Sequence, residues 1–147
     1  MIDVDFSYGF LNDFLGSSFE ELSPKILEEV APILEEATKE TLKKTIQHPG
    51  DSCLVDSVKR KKPRMNKGAR TAYIRVEPTG YSNSRSYFNQ RHHSYKVTNG
   101  AKAFWLEYGV AGRQPARPWQ NKAASAKEDE IMEAMQEKYN ELTGADQ

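Results

Sequence analysis

The sequence predicts an α+β domain: a long N-terminal helix and a C-terminal helix packed on a small, mainly antiparallel β-sheet. Three observations carry this expectation. Apolar residues recur at helical spacing soon after the N-terminus, a middle stretch alternates at strand period, and a second helical stripe closes the chain. The 147 residues fit one ordinary domain. We divide them into an aromatic N-terminal arm, 1–22, and a single α+β domain, 23–147.

The arm holds Phe6, Tyr8, Phe10, Leu11, Phe14, Leu15, Phe19 and Leu22. It is too aromatic for a disordered tail, so it docks either on its own domain or on another subunit. Ser23-Pro24 then opens the first helix, since serine caps well and proline is tolerated in the first helical position. Ile26, Leu27, Val30, Ile33, Leu34 and Ala37 form one apolar stripe that continues through Thr41 and Thr45, with Leu42 and Ile46 off its edge. Pro32 lacks a backbone donor and predicts a kink or a restart near Ala31. His48-Pro49-Gly50 ends the helix.

From Asp51 to Gly109 the pattern changes. In Thr71–Glu77, Ala72, Ile74 and Val76 face one way and Tyr73, Arg75 and Glu77 the other, the signature of a half-buried strand. Tyr81 to Gly100 is polar and reads as a long loop or an extended hairpin. Lys102 to Tyr108 alternates again, with Phe104, Leu106 and Tyr108 on one face, and is expected to be a strand buried on both sides. Glu107 in such a strand needs a donor, from Arg113, Arg117 or a backbone amide of the following loop. Pro115-Ala116-Arg117-Pro118-Trp119 is a stiff turn whose Trp119 can plug a pocket at the start of the final helix, from about Trp119 to Leu142. That helix carries the stripe Ala124, Ile131, Met135 and Leu142.

Charge is segregated along a chain of zero formal net charge and mean hydropathy −0.77. Residues 1–57 hold 12 acids and 4 bases, 58–122 hold 2 acids and 15 bases, and 123–147 hold 7 acids and 2 bases. Acidic ends around a basic middle suit pairing within the fold or between neighbouring copies. No stretch reaches the length of an apolar membrane span, and the acidic N-terminus does not resemble a secretory signal. The single Cys53 cannot form an internal disulfide and points to a reducing compartment.

No constellation in the sequence favours catalysis or a cofactor. His92 and His93 are adjacent, so on a strand their rings diverge rather than converge on an ion, and His48 lies far away. Neither a glycine-rich phosphate loop nor a Gly-x-Ser-x-Gly turn occurs. The strongest binding signal is a basic ribbon of Lys59, Arg60, Lys61, Lys62, Arg64, Lys67, Arg70 and Arg75, with Tyr73, Tyr81, Tyr87 and Phe88 available for stacking. Its neutral whole-chain charge places a solvated hairpin, or a surface for a neighbour's acidic helices, ahead of nucleic-acid binding.

Four pieces in fixed order carry a resemblance. They are Gly50-Asp51, Leu54-Val55-Asp56-Ser57-Val58, Phe104-Trp105-Leu106-Glu107-Tyr108-Gly109, and Gln114-Pro115-Ala116-Arg117-Pro118-Trp119. With the flanking helices, from about Pro24 to Leu142, they resemble the tail-completion or head–tail joining family of long-tailed bacteriophages and prophages. Val110 stands where that family usually has threonine, and Gly50-Asp51-Ser52 where it has Thr-Gly. The aromatic arm and Tyr81–Asn99 look like local elaborations.

The resemblance implies a non-enzymatic virion component of the tail or neck, assembled in the host cytoplasm. It would form a ring, expected to be sixfold, against connector or adaptor and tail-tube proteins, without cofactor or membrane. On this reading Trp105, Glu107, Tyr108, Arg113, Arg117 and Trp119 form the subunit interface. The 59–75 ribbon reaches a neighbour or makes non-specific contact with DNA. The competing expectation is a nucleic-acid-binding accessory protein that uses the same ribbon.

Overall fold

A computed structural model describes residues 2–6, 18–47, 52–69, 71–88 and 94–144, with side chains of 2–6, 18–19, 52, 82–88 and 94–95 outside the description. The histidine readings, Arg70, the Gly50-Asp51 turn and the arm between Phe6 and Ser18 lie outside the described residues.

The elements run in the order β1 (Ile2–Phe6), α1 (Ser18–Thr45), α2 (Ser52–Asp56), β2 (Val58–Arg60), β3 (Arg64–Asn66), β4 (Thr71–Pro78), β5 (Tyr81–Phe88), β6 (Ser94–Thr98), α3 (Asn99–Tyr108), α4 (Gln120–Ala126) and α5 (Glu128–Thr143). This is the expected α+β architecture, helices against a small antiparallel sheet. The arm's first residues belong to that sheet: β1 pairs with β4 in the register Ile2↔Val76 to Phe6↔Ala72.

The first helix is longer than the sequence suggested. It begins at Ser18, with Glu20 and Glu21 in its first turn, where carboxylates oppose the helix dipole favourably. Ser23 is not its cap. It lies buried on the face that carries Leu27, Val30, Ala31 and Leu34, so the stripe extends one turn further back. Nor does the helix restart at Pro32, which points into solvent while Val30 and Ala31 stay in the core. Leu42, expected at the stripe's edge, is fully buried, as is Thr38, whose hydroxyl donates to the Leu34 carbonyl at 2.7 Å. That bond satisfies a polar group that would otherwise be stranded among apolar neighbours.

β4 is the middle strand, and its alternation is as expected: Ala72, Ile74 and Val76 are buried against α1, and Tyr73, Arg75 and Glu77 are half-buried on the opposite face. β1 lies along one edge of β4. The other edge is shared by two short pieces, β2 opposite Val76–Pro78 and β3 opposite Thr71–Tyr73. Pro63, which has no amide to donate, lies in the break between them. Lys61 keeps the edge in line by donating its backbone amide to the Arg75 carbonyl at 2.8 Å. β5 and β6 form a separate two-stranded hairpin, the second of the two forms expected for Tyr81–Gly100.

Residues 102–108 are a helix, not a strand. Thr98 caps it, its side chain accepting from the Ala101 amide at 3.1 Å, and Gly109 closes it at φ 77° with its amide bonded to the Trp105 carbonyl. Ala103 and Leu106, three apart, face the core, whereas Phe104 and Tyr108, four apart, face solvent. The two-residue rhythm of Phe104, Leu106 and Tyr108 was coincidental. Ala101 and Ala103, which favour helices over strands, were the contrary signal. The closing helix is also two helices, α4 and α5, that meet at Lys127, with Ala123, Ile131 and Met135 buried against α1.

Candidate functional site

Around the segment that joins α3 to α4 lie the six residues expected at a subunit interface, Trp105, Glu107, Tyr108, Arg113, Arg117 and Trp119. Gly109 turns the chain sharply, with φ 77° and ψ 177°, a combination essentially restricted to glycine. A Cβ here would meet the Ala116 amide nitrogen at 2.7 Å and the Gln114 carbonyl oxygen at 2.9 Å. Val110 and Gln114 then exchange two backbone hydrogen bonds, 2.8 and 2.9 Å, which closes a small loop with Gly112 and Arg113 at its tip. The chain returns beside α3, where the Arg117 amide donates to the Leu106 carbonyl at 2.8 Å.

Glu107 completes this knuckle. Its Oε2 accepts from the backbone amides of Trp119 at 2.7 Å and Gln120 at 3.0 Å. Those amides begin α4, whose cap residue, Trp119, supplies no side-chain bond of its own. A carboxylate from another helix thus satisfies two donors that α4 leaves unpaired at its N-terminus, where the dipole also favours negative charge. Of the three donors considered for Glu107, the backbone amide is the one in place. Trp119 sits beneath this clamp at 0% exposure, its indole Nε1 donating to the Ala103 carbonyl at 3.1 Å. It plugs an internal pocket as expected and presents no surface to a partner.

The remaining candidates divide by location. Trp105, Arg113 and Arg117 line an open cleft of about 270 Å³ together with Lys102, Ile46 and Leu54. Tyr108 lies on the other side of the knuckle, 62% exposed and stacked at a tilt on Phe104, with ring centroids 4.6 Å apart. Phe104 is 57% exposed and shares a hollow with Tyr81 and Lys61. Phe104 was expected inside a strand buried on both sides, so its exposure on α3 is a difference, and Tyr81 was expected only as a stacking residue beside the basic ribbon.

The basic ribbon lies on the β2–β3 edge and the open face of the sheet. Part of its charge is compensated within the domain. Arg60 reaches Glu35 of α1 at 3.8 Å, Lys61 pairs with Glu77, and Arg75 lies over the Tyr73 ring at 5.4 Å. Lys59, Lys62, Arg64 and Lys67 are exposed and form no ion pair with a described residue.

On the opposite side, Lys127 bridges α1 and α5 through Glu36 at 2.7 Å and Glu130 at 3.6 Å. The hydrogen bond from Lys127, and then its charge, hold the Glu36 carboxyl below its usual range. The same hydrogen bond raises Lys127, and one that Lys138 donates to Glu141 raises Lys138.

Among the described residues no group of three or more His, Cys, Asp or Glu side chains could hold a metal ion, and no helix is long and apolar enough to cross a membrane. Comparisons with family models, curated proteins and solved structures return no match.

Proposed function

We propose that this chain is a structural virion protein of a tailed bacteriophage, completing the tail or joining it to the head by closing identical copies into a ring, expected to be sixfold. The supporting observation is the Glu107 clamp. The Glu-aromatic-Gly and Pro-Ala-Arg-Pro-aromatic motifs, which carry the family resemblance, meet here through Glu107, the Trp119 and Gln120 amides and the buried Trp119. Their joint presence therefore has a mechanical reason. They fix the angle between α3 and α4 and hold the Arg113 tip and the Phe104–Tyr108 face in a set orientation. A protein whose work is fitting against neighbours needs such a rigid corner, because ordering a loose one on binding would reduce affinity.

The test is deletion of the gene from the phage or prophage that carries it. Electron microscopy should then show heads and tails made but not joined, or tails without a finished end, and supplying the chain in trans should restore infectivity. Normal yields of complete, infectious particles from the deletion would end this reading.

The second reading, a nucleic-acid accessory role, draws support from the uncompensated Lys59, Lys62, Arg64 and Lys67 along one sheet edge. A gel-shift series against salt separates the two. Binding through this edge requires an affinity that falls steeply with salt, in proportion to the phosphates neutralised.

A further inference from the structure

The exposed large apolar residues among those described are Tyr81, Phe104, Tyr108 and Met132. Three lie on one side, where Tyr81 and Phe104 share a hollow and Phe104 stacks on Tyr108. Arg113 stands exposed in the loop beside Tyr108, whereas Lys61 in the hollow is paired with Glu77, which lines the same hollow. The fourth, Met132, stands 49% exposed on the outer face of α5. Its neighbours one helical turn away or beside it are Glu128, Asp129, Glu133 and Gln136. The three acids are exposed and form no ion pair with a described residue. By contrast, the two lysines of this region, Lys127 and Lys138, are engaged by the protein's own glutamates.

We infer that these two surfaces are partners: the acidic outer face of α5 in one copy docks on the aromatic face of α3, beside Arg113, in the next, with Met132 seated against Phe104 and Tyr108. This deepens the ring reading above and rests on it. Each surface has an apolar centre, and the unpaired acids around Met132 meet Arg113 beside Tyr108, which steers the encounter and opposes the pairing of the acidic face with itself. A flexible thioether on an aromatic pair is a favourable contact. Because the surfaces are unlike and lie on separate elements, the contact is heterologous, the kind that propagates from copy to copy until rotation closes a ring.

Sedimentation of the purified full chain over a range of concentrations tests this. The wild type self-associates. Phe104→Glu and Met132→Glu each weaken association by about thirtyfold or more, as loss of a central anchor does. Both shift the thermal melt of the monomer by little, since Phe104 and Met132 are 57% and 49% exposed. Mixed in equal amounts, the two variants form a dimer, because one keeps its aromatic face and the other its methionine face. A wild type that stays monomeric throughout, a single variant that associates as well as the wild type, or a mixture that remains monomeric overturns the pairing. Particle morphology judges the virion reading separately. A chain required for joined particles yet indifferent to both substitutions would discard this interface alone.

Discussion

The α3–α4 knuckle and the β2–β3 edge both set charged side chains beside prolines, but use them in opposite ways. At the knuckle, Glu107 and Trp119 turn inward and bond to backbone groups of their own chain. Along the edge, Lys59, Lys62, Arg64 and Lys67 stand in water. A motif that looks like a binding signature can therefore be the brace that shapes a surface, while the surface itself is made by residues beside it. Here the brace is Glu107 with Trp119, and Phe104, Tyr108 and Arg113 are what it displays.

The contrast can be broken by substitution. Trp119→Ala empties a fully buried site and removes the indole bond, so it should cost about 3–5 kcal/mol, read from urea or thermal melts. A loss near zero would mean that the knuckle does not brace the fold. Gly109→Ala forces a Cβ against the Gln114 and Ala116 backbone in a conformation alanine avoids, and should cost about 3 kcal/mol by the same melts. Glu107→Ala leaves two amides at the start of α4 without their acceptor, a loss of about 2 kcal/mol. Glu107→Gln keeps an accepting oxygen without the charge and should lose about half as much.

A smaller effect comes from the bridge between α1 and α5. The Glu36 carboxyl is depressed, so the stability it contributes is present above its ordinary value of 4.5 and lost as pH falls through the lower folded value. Lys127 is raised, so its contribution is complete below 10.5 and lost as pH rises through the higher folded value. Melting scans of Lys127→Met across pH should show both limbs reduced, with the alkaline share of Lys138 kept; identical profiles for variant and wild type would show that the bridge carries no stability. The smallest effect belongs to the sheet edge: replacing Lys62, Arg64 and Lys67 together by serine should move the melting free energy by no more than about 0.5 kcal/mol. A large loss there would show that the edge, too, is structural.

The sequence made β4 and the α1 stripe legible because each has a single strong period with one buried face. It misled at α3, where a short helix carries aromatic residues two apart and its ends are set by Thr98 and Gly109, single residues whose capping role depends on the turn they adopt. It also stopped short of the Glu107 clamp's acceptor geometry, since a carboxylate that caps a helix twelve residues on has no local spacing rule. Met132 was legible on the same ground as β4: the stripe through Ala124, Ile131 and Met135 leaves it off the buried face, and it stands 49% exposed.

The central claim is that this chain works by fitting to copies of itself within a tailed particle. Electron cryomicroscopy of the purified particle tests it most directly. The account requires a closed ring of this fold where tail meets head, with the α5 face of each copy against the α3 face of the next. A complete, infectious particle containing no copy of the chain would contradict it.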